Sequence, residues 1–353
     1  MSLKARLETL IAAAGPMSTA DYMTLCLHDP EHGYYATRPR LGGEGGDFIT
    51  APMASQMFGE LIGLWAVETW HSLGRPSPFR LVEIGPGEGV LMEDALRAAR
   101  LAPDFIAAAD LWLVEPSPPL AERQRARLGD DARWAKSLDE VPGGAPLILV
   151  ANEVLDCLPV RQFVRLDHGW AERRVGVDFD DRLYFGLSPA PAGFAPPKGL
   201  EGAASGVLVE ISPAQEGLGQ AIGERVVTDG GAALLIDYGR DAPEPGDTLQ
   251  AIRGHVREGP LDNPGEADLT VHADFPSVAQ AARLAGAAAS EILPQGELLR
   301  RLGIEARAAT LARSHPDRIA RELHRLTAPD QMGELFKALA IHTPGLHIPG
   351  FQS

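Results

Sequence analysis

Cysteine is nearly absent: Cys26 and Cys157 are the only two in 353 residues. Two cysteines give no disulfide framework and no zinc spacing, and they suit a reducing compartment. Long apolar runs are missing too. Nothing approaches the roughly 20 consecutive apolar residues that span a bilayer. The first residues lack both the apolar core of an export signal and the arginine- and serine-rich character of a transit peptide. The expected setting is bacterial cytoplasm, without membrane insertion. Basic charge is in deficit, with 32 Lys and Arg against 48 Asp and Glu, a formal charge of −16. Such a surface repels nucleic-acid phosphates and anionic lipid and attracts a basic peptide or protein. Among ten histidines, His28 and His32 stand four apart, but Pro30 and Gly33 indicate a loop there, and no metal site is read.

One further absence concerns a glycine. Leu81-Val82-Glu83-Ile84-Gly85-Pro86-Gly87-Glu88-Gly89-Val90 runs from an apolar strand through an acidic residue into three glycines at alternate positions. A dinucleotide fingerprint, G-x-G-x-x-G, needs a third glycine for close packing of the next helix. Counted from Gly85 that position is Val90, and from Gly87 it is Met92. The pattern present is E-x-G-x-G-x-G, the form typical of S-adenosylmethionine (SAM) methyltransferases. Gly85, Gly87 and Gly89 leave the backbone open to a nucleoside cofactor, and Glu83 is placed to meet its amino-acid end. A tight βα turn without ligand is the plain alternative.

About one βα unit later, Leu111-Trp112-Leu113-Val114 reads as a buried strand closed by Glu115. An acidic residue at that tip takes ribose hydroxyls in doubly wound folds; a solvated carboxylate is the other reading. Asp139, in Lys136-Ser137-Leu138-Asp139, stands where adenine contacts often fall, or is a loop or cap residue. Pro146–Ala151 is a short apolar run, as expected of a central strand, and Asn152-Glu153-Val154-Leu155-Asp156-Cys157-Leu158-Pro159 follows. Polar groups at the carboxyl end of such a strand line the ligand crevice of open α/β sheets. If Glu153 begins a helical turn, Asp156 falls on its face, and two carboxylates and an amide converge. Alternatively Asn152 caps a short helix, Glu153 complements its dipole and Asp156 is exposed.

Residues 1–75 read as a helical extension and lid. An amphipathic stretch from Met1 to Ala14 carries Leu3, Leu7, Leu10 and Ile11 on one face, and a helix runs over Phe58–Ser72. An α/β core for the cofactor occupies 76–160. Over 161–210 the period becomes two, with turns at Asp167-His168-Gly169 and Asp180-Asp181, an antiparallel insertion. Residues 211–353 complete the core: a helix over Pro213–Val227, a strand over Gly231–Gly239, and a polar stretch, 240–275, read as an active-site loop. Helices follow over Ala279–Ala289, Leu298–Arg301 and Met332–Ala340, with a loose tail after Pro344.

Several separated blocks resemble the MidA family, whose mitochondrial members are arginine methyltransferases that assist assembly of respiratory complex I. They are His28–Tyr35, Gly46–Pro52, the glycine turn with Glu83, Asn152–Pro159, Ile236–Gly239 and Asp268–Phe275, in order along nearly the whole chain. Cys157 stands where the family pattern usually has alanine. The resemblance implies a class I, Rossmann-like methyltransferase fold, α/β with a doubly wound, mostly parallel sheet. It also implies SAM as cofactor and an arginine-presenting protein as acceptor, with symmetric ω-dimethylation in the characterised branch. Asn152, Glu153 and Asp156 are then the candidates to grip and deprotonate the guanidinium, and Asp47 and Thr50 to cover the cofactor. A non-catalytic SAM-binding assembly factor and a small-molecule methyltransferase stay open, as does a homo-oligomer. A nicotinamide oxidoreductase is disfavoured by the missing third glycine.

Overall fold

The computed structural model describes residues 2–37 and 50–352. The chain is mixed α/β and divides into two units. One takes the described residues of 1–48 together with 155–215 and 240–276; the other takes those of 49–154, 216–239 and 277–353.

In the second unit the strands are β1 (Phe79–Ile84), β2 (Ala109–Val114), β3 (Arg133–Ala135), β4 (Leu147–Asn152), β5 (Gly231–Arg240) and β6 (Phe336–His342). They lie in the order β6-β5-β4-β1-β2-β3. The first five run parallel and β6 is antiparallel to β5. Chain order therefore reverses between β1 and β4, the kind of position where open α/β sheets leave a crevice. Every residue of β4 is buried, as a strand covered on both faces requires. Three helices bear on the site: α1 (Gln56–Ser72), α2 (Val90–Ala99) and α3 (Pro118–Leu128). The side chain of Ser55 caps α1 by accepting from the Met57 N–H, and Met57, Phe58, Leu61, Ile62 and Trp65 bury its inner face. Prolines open α3, where a missing N–H costs nothing.

In the first unit, Leu3–Ala14 is a helix that buries Leu3, Leu7 and Ile11. Leu10, expected on that face, is 40% exposed. Thr19–His28 follows, started by a capping box between Ser18 and Asp21. Arg161–Leu166, Gly169–Val177 and Leu183–Pro189 pair antiparallel where the period-two pattern places strands, and Leu208–Ile211, which that pattern does not mark, pairs with Arg161–Leu166.

Four expectations are corrected. Residues 240–275 are not a plain loop: Gln250–Arg253, Val256–Glu258 and Asp268–Thr270 form an antiparallel sheet of their own. The helix expected over Ala279–Ala289 is Phe275–Leu284, and Ala288–Ala289 is already strand. Met332–Ala340 is helical only to Leu335; Phe336–His342 is β6. A fully buried strand shows no alternation, so its apolar run mimics a buried helix. The tail after Pro344 is held, with Ile348 and Phe351 buried in the core and Gly350 accepting from the Arg301 guanidinium.

Candidate active site

Polar tips stand in a row at the carboxyl ends of the parallel strands of the second unit. Glu83 ends β1 almost wholly buried, at 2% exposure, and its Oε2 has no hydrogen-bond partner among the described residues. A buried carboxylate oxygen left unpaired is costly. Burial, with the neighbouring Glu115 charge adding to it, raises the Glu83 pKa to about 8. Glu115, just past β2, is also buried, and its pKa is pushed up to about 7 by burial against two donors that lower it. Those donors are the Ser117 N–H on Oε1 at 2.8 Å and the Gln124 amide on Oε2 at 3.1 Å. A carboxylate accepts about four hydrogen bonds, so Glu115 keeps capacity for a diol.

Between them runs the glycine turn, with Gly85, Gly87 and Gly89 all at positive φ, 64°, 54° and 77°. A Cβ on Gly85 would lie 2.7 Å from Val154 Cγ2, whereas one on Gly87 would meet nothing within 4 Å. The backbone is thus bare and open at Gly87.

β4 ends in Asn152, and there the expected helix is absent: Asn152–Pro159 contains no helix. Neither the helical face shared by Glu153 and Asp156 nor the capping role for Asn152 holds. Glu153 instead takes φ +54°, a left-handed conformation that disfavours a residue with a Cβ and that concentrates at functional sites. It is over-determined from several sides. The Glu153 N–H donates to Ile236 O at 2.9 Å, beyond the β4–β5 ladder. Its Oε1 accepts from Ala51 N–H at 3.2 Å and from Asn152 Nδ2 at 3.0 Å. Because Nδ2 is committed to Glu153, the Asn152 amide orientation is fixed. Its Oδ1 is left buried with no partner among the described residues, an acceptor awaiting a donor.

Asp156 belongs to the first unit and is buried. It keeps company there with Asp268, also buried, which accepts from the Tyr35 hydroxyl at 3.3 Å. Burial raises the Tyr35 pKa well above the usual tyrosine value, and the charges of Asp268, Cys157 and Asp156 raise it further. Asp139 is exposed on a single 3-10 turn, Leu138–Glu140. Thr50 precedes the short helix Ala51–Ala54, whose first N–H meets Glu153. Asp47 lies outside the described residues.

Two buried polar groups beside these strands are not singled out by the sequence reading. Asp237, within β5 three residues before its end, is fully buried and accepts from the Tyr238 N–H; its only signal is its place in the block Ile236–Gly239. Gln124 is fully buried on α3. It sits in Ala-Glu-Arg-Gln-Arg-Ala-Arg, which reads as a solvated charged face and carries no signal.

Comparison with known proteins agrees with this geometry. A family model described as "Putative S-adenosyl-L-methionine-dependent methyltransferase" matches residues 61–293. A Drosophila melanogaster relative, "Protein arginine methyltransferase NDUFAF7 homolog, mitochondrial", is 36% identical over 98% of this chain and 85% of its own. Its Danio rerio counterpart is 33% identical over 96% and 86%. Among solved structures, a Burkholderia thailandensis protein bound to S-adenosyl-homocysteine superposes with a TM-score of 0.85 at 28% identity. That match covers 99% of this chain and 95% of the other. The residues present fit the cofactor. The unpaired oxygen of Glu83 would accept from its amino end, Glu115 would take the ribose hydroxyls, and the open backbone at Gly87 would lie against it. With the glycine turn, the buried acidic tips and the match over most of its length, the chain belongs to the MidA-like family of S-adenosyl-L-methionine-dependent methyltransferases.

Proposed function

We propose that the acceptor is an arginine side chain of a protein, methylated on a guanidinium nitrogen. The observation that carries this reading is the tip of β4. There a strained Glu153 is held by hydrogen bonds with Ile236, Ala51 and Asn152, beside an Asn152 amide whose buried oxygen has no donor among the described residues. The names of the relatives as protein arginine methyltransferases support it. A guanidinium is a poor nucleophile, since its charge is delocalised and its pKa exceeds about 12. When bound, SAM supplies a methyl group already activated on a sulfonium. The protein therefore has to orient one nitrogen, localise the positive charge on the others and receive a proton.

Glu153 carries the carboxylate that grips N–H groups and takes the proton. Asn152 Oδ1 accepts from the nitrogen that is presented, and Asp156 stays a candidate second carboxylate. Thr50 is part of a cover over the cofactor, and the Ala51 N–H beside it reaches Glu153; Asp47 stays a candidate for the same cover. Asp139 stays a candidate adenine contact. Symmetric ω-dimethylation in the assembly of a respiratory complex follows the family resemblance, and the net charge of −16 suits a basic protein partner. The strand order β6-β5-β4-β1-β2-β3 with an antiparallel β6 favours a doubly wound class I fold. In it, 76–160 carries the cofactor and 161–210 is an insertion. Two free cysteines suit a cytoplasmic setting.

The test is transfer of labelled methyl from SAM to basic proteins, followed by hydrolysis and identification of the methylated amino acid. Methylarginine is expected. Glu153→Gln should lower turnover by about 10²- to 10⁴-fold, as loss of a positioned acid–base group does, while SAM affinity stays unchanged. Label in another residue or in a small molecule would replace the arginine reading, and full turnover in the variant would remove the carboxylate from the chemistry.

A further inference from the structure

Gln124 joins three pieces of the cofactor site through one amide. Its Nε2 donates to Gly87 O at 2.8 Å and to Glu115 Oε2 at 3.1 Å, and its Oε1 accepts from the Trp134 indole N–H at 2.9 Å. The amide orientation is dictated by these partners. Flipped, it would set its oxygen against a carbonyl and a carboxylate and its NH₂ against an indole N–H, three mismatches in a fully buried place. Both N–H bonds are spent on groups that face the cofactor: the backbone of the bare glycine and the carboxylate at the ribose position. The third partner, on β3, anchors the amide from behind. α3 also packs on the turn itself, since a Cβ on Gly89 would lie 3.6 Å from Gln124 Cγ. Beside it, Arg127 Nε donates to Glu88 O at 2.9 Å, closing the outer side of the turn.

We propose that Gln124 is a positioning residue for the nucleoside half of the cofactor. It fixes the rotamer of Glu115 and the peptide plane of Gly87 together, so that the ribose carboxylate and the glycine turn are set in one geometry before binding. The proposal rests on the cofactor reading of the glycine turn and adds the group that ties its parts. Without Gln124, Glu115 keeps only the Ser117 N–H as a donor among these contacts. Its carboxylate then rotates freely on the Oε2 side, and its proton is held more tightly, because a donor that favours the charged form has gone.

The experiment is calorimetric titration of the full chain with S-adenosyl-homocysteine from pH 6 to 9, on the wild type and on Gln124→Met, which preserves length and volume without donors. Wild-type binding tests the cofactor reading on its own, and its absence would remove that reading and this proposal with it. With wild-type binding present, the variant should bind about tenfold more weakly at pH 7. The pH at which its affinity reaches half its limit should move upward. A purely structural role would weaken binding equally at all pH values, and an unshifted profile would therefore overturn the proposal, as would affinity within twofold of wild type. Should Gln124→Met fail to fold, Trp134→Phe removes only the anchor behind the amide. It should reproduce the upward shift with a loss of about two- to fivefold, and an unchanged profile there would equally refute the role.

Discussion

Two glutamates of the second unit are about equally buried and electrostatically opposite. Glu60, on α1, is 5% exposed and saturated. Arg307 reaches it through Nε at 2.7 Å and Nη2 at 2.9 Å, Arg97 through Nη2 at 3.0 Å, and Gln56 through Nε2 at 3.1 Å. Burial alone would raise its pKa, but the guanidiniums, Arg307 foremost, hold it below the usual carboxylate value. Glu83 is 2% exposed, has one oxygen without a partner among the described residues, faces another acid, and is pushed up to about 8. The first carboxylate is satisfied by the fold and welds α1 to α2 and to the helix Ile304–Leu311. The second is unfinished by the fold. A group left so at the tip of a parallel strand marks where a ligand completes the structure.

The contrast can be broken by removing each acid in turn. Glu60→Ala should cost the largest stability, about 2 kcal/mol, because it removes the charged hydrogen bonds from Arg307 and Arg97 and leaves Arg307 without them, while Arg97 keeps Asp94. Denaturant unfolding would show the loss, while affinity for SAM stays within twofold. Glu83→Gln should act the other way. Cofactor affinity falls by about 10- to 100-fold, the worth of a hydrogen bond to a charged group. The free protein meanwhile melts at a higher temperature at pH 8, since position 83 no longer carries a buried charge beside Glu115. If both substitutions lowered the melting temperature alike and left binding alone, the distinction between a finished and an unfinished carboxylate would fail.

A smaller effect sharpens the same comparison through pH. The folded pKa of Glu83 lies above its unfolded value of 4.5. Its contribution to stability is therefore fully present below about 4.5 and lost as the pH rises through about 8. Glu60 has the opposite sign: its contribution is present above the unfolded value and lost as the pH falls through its depressed folded value. The free protein should thus lose stability toward both ends, through different residues. If Glu83 and Glu115 hold SAM as carboxylates, its binding should release protons and tighten as the pH rises through about 7 to 8, the values of Glu115 and Glu83. Titrations in buffers of different ionisation enthalpy would detect the protons, and the same binding heat in every buffer would contradict the assignment.

The glycine turn with Glu83 is legible in the sequence because its geometry is local. A strand, an acid and three glycines at positive φ are consecutive, and each residue type answers a backbone need at its own position. The period-two strands after Arg161 are legible for the same reason, one face being wet. The tip of β4 is legible only as residue types. The three-residue spacing of Glu153 and Asp156 suggests one face of a helical turn, but the Glu153 N–H finds its partner on Ile236, more than 80 positions away. That bond commits the backbone to a left-handed residue instead. β6 hides as a helix because both its faces are buried.

Taken alone, the sequence determines the class of chemistry: a cofactor turn, acids at strand tips, and an acidic surface suited to a basic partner. Those properties are written in neighbouring residues and in net charge. Only the tertiary structure decides which acids are finished and which are not. Glu60 and Glu83 differ in nothing that a single residue type records; they differ because Arg97 and Arg307 reach one, while the other is left at a strand tip beside a second acid. Gln124 reaches Gly87 only where α3 returns against the turn, a contact across 37 residues. Burial and partnership set the free energy of a charged or polar group, and both are properties of the folded chain.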